Sequence, residues 1–492
     1  MDSVTTIDYF ALAPELTMVA TSLVVLLVEL FLSGERKRWV NPIAAIGVLV
    51  ALGFVVALAV DGTSRGAFGQ MFVVDSYALL LKAFFLLTAL FVLFVSYRYF
   101  SEFRTYQGEY YFLLLSSFIG AMLMPSARDF VMIFLALELV SVPGFVMAGL
   151  RKFDLRSNEG ALKFFLIGVL SVTVLLFGLS IVYGFTGTTD LAGVAEGLRA
   201  IGEPEPLLLA SLLFVTVGFG FKVSAVPFHF WAPDTYEGAP IPVAAFLSVA
   251  SKGAGFAGLL QIMFVAFAPY AEVWGPVFGV LAVLTMTFGN LVALQQRNIV
   301  RLLAYSSIGH AGYMLVPFAL VRDGLTEVND IAFAAVVIYL LAYAVMNIGA
   351  FACVIAVART HPTRDLNDYA GLGRRSPGTA LGLTLFLVSL GGLPPLVGLW
   401  AKFFIFNAAA SAGAWALAAA VVINSVIAMF YYLAIVRTMW FDAPASTAAI
   451  RPGFALSFAM TALAVAAVAV GVYPDLFADV ARVSTLVGAA AP

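Results

Sequence analysis

About fourteen apolar stretches, each near the twenty residues that a helix needs to cross a hydrocarbon core, run through this chain. They fall near 13–32, 40–60, 74–97, 110–126, 129–149, 160–185, 207–226, 241–267, 275–295, 301–321, 330–357, 377–411, 414–440 and 453–472. A chain built this way has one class of fold open to it. In lipid the backbone must satisfy its own hydrogen bonds, and segments of this length do so as helices. Composition agrees: 62% of the residues are hydrophobic and 11% charged, against about 45–50% and about 25% in soluble domains. The expected fold is an all-α integral membrane protein, one polytopic domain over 1–492. The longest polar loop, Thr186 to Pro206, is too short for a separate domain. The N-terminal MDSVTTIDYF lacks the basic start of a cleaved leader, so the first span is expected to be retained.

Orientation follows from the bias of Lys and Arg toward cytoplasmic loops. With fourteen crossings, sixteen basic residues fall on the side opposite the N-terminus and five on its own side. Both termini are therefore expected outside the cytoplasm. The residues left over are Lys82, Lys163, Lys222, Lys252 and Lys402, all within spans and all lysines. Lysine can lose its proton when desolvated, whereas arginine keeps its charge.

A charge at the bilayer centre costs about 2.5–3.5 kcal/mol even on insertion scales, so each such residue needs a partner or a use. Glu138, in FLALELVSVPGF, is the acidic residue near the middle of a span; it can be one half of a helix-pinning ion pair or a functional carboxylate. Lys222 follows fifteen uncharged residues and precedes Pro227, and Lys252 lies deep in the next, oppositely directed span, so the two can face each other. Lys402 follows GGLPP, a run that must interrupt its helix, and irregular backbone at that depth is tolerated where it is buried in protein or lines a wet cavity. Lys163 sits four residues after Glu159, so a solvated helix start explains it nearly as well as proton transfer. Lys82 reads best as a snorkelling or interfacial lysine. His310, in AYSSIGHAGYM, has hydroxyl neighbours and suits a relay; His229, beyond Pro227, is either a gate or interfacial; His361 lies in a loop.

The seventh and twelfth spans each combine a proline interruption with a lysine and are an odd number of crossings apart. That pattern is the mark of an inverted-topology repeat, spans 4–8 against 9–13. The corresponding divisions are 1–108 (three N-terminal spans), 109–267, 273–440 and 441–492. No cofactor or metal is expected in the chain. GFGF lies inside a span, GLGRRSPG lacks the end of a phosphate loop, one cysteine cannot hold an iron–sulfur cluster alone, and the three histidines are scattered. A net charge of −2 gives no reason to expect nucleic acid.

FKVSAVPFHFWAPDTYEGAPIPVAAFLSVASK, with LELVSVPGF, AYSSIGHAGYM and GGLPPLVGLWAKFF, resembles the proton-conducting, antiporter-like subunits of NADH-quinone oxidoreductase (respiratory complex I), over essentially the whole chain. The short tail after the last span and Lys402 in place of a glutamate make it most similar to subunit N among the three related subunits. The resemblance implies a proton path through Glu138, Lys222, Lys252 and Lys402, with Lys163 beside the first pair. It implies a bacterial inner membrane, adjacent subunits M and K, and membrane lipids. NADH, FMN, iron–sulfur clusters and quinone would be held by partner subunits. The alternatives are a subunit of a multisubunit sodium/proton antiporter, a free-standing solute carrier, and a structural membrane scaffold.

Overall fold

The computed structural model describes residues 8–102, 107–359, 364–444, 450–476 and 479; Arg104, His361 and Arg482 lie outside them. The first three spans are α1 (Ala13–Phe31), α2 (Val40–Asp61) and α3 (Ser76–Glu102). The first repeat follows with α4 (Gln107–Leu123), α5 (Phe130–Ala148), α6 (Leu155–Thr186), a short α7 (Leu191–Ile201), and span 7 split into α8 (Pro206–Val223) and α9 (Trp231–Gly238). Span 8 is α10 (Ile241–Phe246) and α11 (Lys252–Gln261), joined by a π-helical turn over Leu247–Ser251. The second repeat contains α12 (Ala271–Ala293), α13 (Ile299–Leu315), α14 (Thr326–Ala358), a one-turn α15 (Leu372–Arg375), span 12 split into α16 (Pro377–Gly391) and α17 (Val397–Ser411), and α18 (Trp415–Phe441). The last span is α19 (Phe454–Val472).

Among the described residues, twelve helices are long and apolar enough to cross a membrane. The 17-residue α4 and the broken α16–α17 make the other two crossings, giving the fourteen expected. Outer helices carry apolar side chains outward, such as Leu30, Val60, Leu170 and Phe430. Span 8, in contrast, is wholly enclosed and α13 nearly so. Polar groups on those two segments are therefore held away from lipid.

Two local features escape a hydropathy reading. The loop Thr186–Pro206 folds into α7, whose Leu191, Val194, Ala195 and Leu198 turn inward. Between α2 and α3 lies a small antiparallel hairpin, β1 (Arg65–Ala67) and β2 (Phe72–Val74). Strands of three residues carry too little pattern to be seen in sequence.

The inverted repeat is visible in matching backbone bonds on opposite faces of the bundle. Phe130 N donates to Thr189 O and Leu191 N to Arg128 O, each at 3.0 Å. In the second repeat Ile299 N donates to Arg364 O at 3.0 Å and Leu366 N to Arg297 O at 2.8 Å. Asp129 and Asn298, at the centre of each set, cap α5 and α13 with their side chains. The same shift along the chain carries Gly120 to Gly289, two positions where helices touch backbone to backbone. A methyl there would sit 2.8 Å from Ala136 O in one repeat and 3.0 Å from Tyr305 O in the other.

The breaks correspond as well. α8 ends at Val223, Ser224 turns left-handed at φ 60°, and Val226–Pro227 is cis; α16 ends at Gly391, Gly392 takes φ 90°, and Pro394–Pro395 is cis. Both interruptions fall where the prolines and the loss of N–H donors put them.

Lys82 departs from expectation. It does not snorkel: its side chain is fully enclosed, its ammonium lies 2.8 Å from Glu15 of α1, and the Phe72 ring sits 4.5 Å away. A lysine near a span end reads as snorkelling in sequence because its partner is 67 positions away on another helix. Removing one member of a buried pair strands the other charge and typically costs about 3–5 kcal/mol, whereas replacing both by apolar groups is often neutral. Lys82→Met should therefore lower the yield of folded protein, and Glu15→Leu/Lys82→Met should recover it. Thermal stability of the purified membrane protein checks this; a double variant no better than the worse single would show that the pair does not lock α1 to α3.

Candidate proton-transfer site

The structure groups Glu138, Lys222, Lys252, His310 and Lys402 in two sets: Glu138 acts on Lys222, and Lys252 and Lys402 both act on His310. Lys222 is the next-to-last residue of α8, just before the break, and is buried. Its Nζ donates to Ser141 Oγ at 2.7 Å, and that hydroxyl donates to Leu137 O at 2.6 Å. Glu138 is one turn from Ser141 on α5, half-buried, and near enough to Lys222 to act on it electrostatically. The two make no contact ion pair, and Glu138 Oε1 has no hydrogen-bond partner. Space for the lysine stem comes from Gly255 on α11, where a methyl would lie 2.8 Å from Lys222 Cγ.

Lys252 is the first residue after the π turn of span 8, a distortion common at functional sites. Its Nζ donates to Ser307 O at 2.7 Å and to Ser307 Oγ at 2.5 Å. The two lysines thus do not point at each other as their opposed spans suggested. Lys222 turns toward α5 and Lys252 toward α13, each drawn to the acceptor that replaces its water.

His310 is one turn beyond Ser307. Its Nδ1 shares a hydrogen bond with the Tyr339 hydroxyl at 2.7 Å and its Nε2 one with Tyr432 at 3.2 Å; Tyr432 in turn meets Ser306 at 2.5 Å. The nearby hydroxyls read from sequence are present, but the direct partners come from α14 and α18, 29 and 122 positions away. No local spacing could have named them. Lys402 on α17 donates to Gly391 O at 2.8 Å and lies 5.0 Å from the Tyr313 ring. The broken helix supplies that acceptor, since a carbonyl in its last turn has lost its helical N–H partner.

Two expected residues lie apart from these sets. His229, in the span 7 break, is buried against Phe288, and its Nδ1 has no hydrogen-bond partner. Lys163 is engaged elsewhere, with Glu159 at 2.6 Å as the spacing foretold, and with Asp234 at 2.6 Å. Its side chain is 41% exposed and makes no contact ion pair with Glu138. Asp234 also binds Arg301 at 2.7 Å, and Arg301 binds Glu237 at 2.9 Å. This acidic cluster was missed in sequence. The signal present was two carboxylates beside the one break whose lysine precedes it.

A protein-family model described as NADH:quinone oxidoreductase/Mrp antiporter, TM, matches residues 127–428. The chain belongs to that family. It is 43% identical to NADH-quinone oxidoreductase subunit N 2 of Streptomyces griseus over 442 residues, covering 87% of this chain and 82% of the relative. It is 41% identical to subunit N of Trichlorobacter lovleyi, covering 89% and 88%. A chain of respiratory complex I from Thermus thermophilus superimposes with a TM-score of 0.78 at 30% identity, covering 95% of this chain and 99% of that one. The resemblance to antiporter-like subunits, and to subunit N in particular, is thus carried across nearly the full length of the chain.

Tyr432 bridges Ser306 and His310, so Tyr432→Phe leaves both without that partner, at about 1–3 kcal/mol for an unsatisfied buried group. Ser307→Ala removes one of two acceptors for Lys252 and keeps the carbonyl. Tyr432→Phe should therefore reduce proton pumping more than Ser307→Ala, compared in membranes with matched assembly. The reverse order would place the main route on the serine side chain.

Proposed function

We propose that this chain moves protons across a bacterial cytoplasmic membrane as a subunit-N-type component of NADH-quinone oxidoreductase. Its termini lie outside the cytoplasm and its neighbours are the M- and K-type membrane subunits, with lipid around them. NADH oxidation and quinone reduction take place on partner subunits that hold FMN and the iron–sulfur clusters. The proton route runs through Glu138, Lys222, Lys252, His310 and Lys402, with Lys163 and His229 acting on its inner end.

One observation carries this reading: the acceptors of the three central lysines are neutral. Lys222 is hydrogen-bonded to a serine hydroxyl, Lys252 to a serine hydroxyl and carbonyl, and Lys402 to a backbone carbonyl. A contact carboxylate fixes an ammonium in its charged form. A hydroxyl or carbonyl oxygen accepts an N–H from an ammonium and from a neutral amine alike, so it accommodates both protonation states. Lys82, locked on Glu15, is the contrasting case within the same chain. Glu138 supplies a field at Lys222 without forming a contact ion pair with it. A small movement of either side chain then changes how firmly Lys222 holds its proton.

Lys222→Ala should abolish most proton translocation in the assembled complex. Lys222→Arg should fail to restore it, since arginine retains its proton. The measurement is protons moved per NADH oxidised, at equal assembly. Wild-type pumping by Lys222→Arg would mean that a fixed charge suffices there, as a structural scaffold requires.

A further inference from the structure

A groove of about 720 Å³ runs between α16 and α19, apart from the lysine stations. α19 packs on α14 and α17. At its far end the Trp400 indole donates to Gly471 O at 2.7 Å, and a methyl on Gly471 would lie 2.0 Å from Pro395 O. Toward α16 the space stays open because Gly378, in the first turn, has no side chain to fill it. A methyl added there meets nothing within 4 Å, and one on Gly382 reaches Cys353 Sγ at 3.4 Å. Cys353 Sγ lies 3.6 Å from Met460 Sδ and closes the floor. Leu381 and Val465, on the two walls, are exposed.

The lining changes character along its length. Ser376 and Thr379, whose hydroxyls share a hydrogen bond at 2.9 Å, line the end where α16 begins, and Ser457 and Thr461 line the matching end of α19. Beyond them come Leu381, Leu385, Ala464, Val465, Val468 and Ala469, all apolar. From Ser457 to Ala469 the groove follows α19 for about 18 Å at 1.5 Å per residue, slightly more than half of a hydrocarbon core about 30 Å thick.

The polar end is also basic. Arg374 and Arg375 precede Ser376, and Arg451 precedes Pro452. Arg98 of α3 lies against Gly453, where a methyl would be 2.6 Å from its Nε. Arg375 is engaged with Asp368 O, and Arg98, Arg374 and Arg451 are exposed. A guanidinium presents paired N–H donors that match two phosphate oxygens. Charge, hydroxyls and an apolar channel one leaflet deep therefore follow one another in the order of a lipid's phosphate, ester region and acyl chain. A helix from another subunit has no such gradient to match.

We propose that this groove binds an anionic phospholipid. Its phosphate lies at Arg374 and Arg451, its ester region beside Ser376, Thr379 and Ser457, and one acyl chain along α19 between Leu381 and Val465. In the orientation proposed above the leaflet is the cytoplasmic one, and that assignment alone rests on the earlier reading. The bound lipid ties α19 to α16, the helix whose last turn supplies the acceptor of Lys402.

The test is photo-cross-linking of the assembled complex in phosphatidylcholine vesicles. The vesicles carry a trace of phosphatidylglycerol or of phosphatidylcholine, each with the same diazirine-bearing acyl chain, and the labelled peptides are mapped. Phosphatidylglycerol should label the α16 and α19 peptides about fivefold more than phosphatidylcholine, on the scale of one arginine at a membrane surface. Arg374→Gln/Arg451→Gln should bring the two lipids level there. Gly378→Leu fills the groove and should remove the phosphatidylglycerol labelling. Equal labelling by the two lipids in the wild type, labelling that survives Gly378→Leu, or a groove left unlabelled because a neighbouring subunit covers it would each overturn the proposal. If Gly378→Leu fails to assemble, Ala464→Leu fills the groove from the other wall and is read the same way. The labelling does not depend on pumping, so normal pumping by Lys222→Ala would sink the proton-transfer reading and leave this one standing.

Discussion

An ammonium group taken out of water must recover its hydrogen bonds from the protein, and most of what is unusual in this fold provides them. In a regular helix each carbonyl already accepts one helical N–H, so an ammonium must share such a carbonyl, use a hydroxyl or find a carbonyl freed by a break. The chain uses all three. Lys402 uses a carbonyl at the end of α16, where GGLPP stops the helix. Lys252 follows a π turn that aims it at Ser307. Lys222 lies at the last turn before the other break and reaches a serine beside the prolines of neither break but on α5. Each break weakens a span locally, and the lysine beside it is buried in protein.

Duplication explains the frame but not the chemistry. The shift that carries Gly120 to Gly289 also carries Glu138 to Ser307 and Ser141 to His310. A carboxylate in one repeat thus stands where the other places the hydroxyl that holds Lys252. The backbone contacts are kept in both copies, since close helix approach leaves no choice at those glycines. The side chains at the stations differ because each copy faces a different neighbour along the route. Two like sites would give two equal wells for a proton. The unlike ones provide a sequence of different environments.

What could be read from sequence follows from how costly each feature is. A buried charge in a span is rare enough to be conspicuous, so Glu138, Lys222, Lys252 and Lys402 were found from the bare chain, as were the breaks at Pro227 and Pro395. Fourteen crossings were legible because hydropathy is a local property. Partner identity was not. Tyr339, Tyr432 and Arg301 each reach their contacts across long separations in the chain, and nothing in the sequence near His310 or Lys163 points to them. Lys82 shows the same limit from the other side: its position suggested an interface, and Glu15, itself near a span end, turned it into a closed internal pair.

The helix α13 ties these particulars together. Along about 18 Å, at 1.5 Å per residue, it presents Arg301 to the acidic cluster of span 7, Ser307 to Lys252, His310 to Tyr339 and Tyr432, and Tyr313 to Lys402. It is capped at its start by Asn298, which accepts from both Val300 N and Arg301 N, and it is packed against α12 through Gly289 and Gly312, where even a methyl would collide. Packed this closely, the helix fixes the spacing of these four contacts. The stations need not touch one another to be coupled. They share one element: α13 carries the acceptor of Lys252 and packs against α9, which follows the break beside Lys222, and against α17, which carries Lys402.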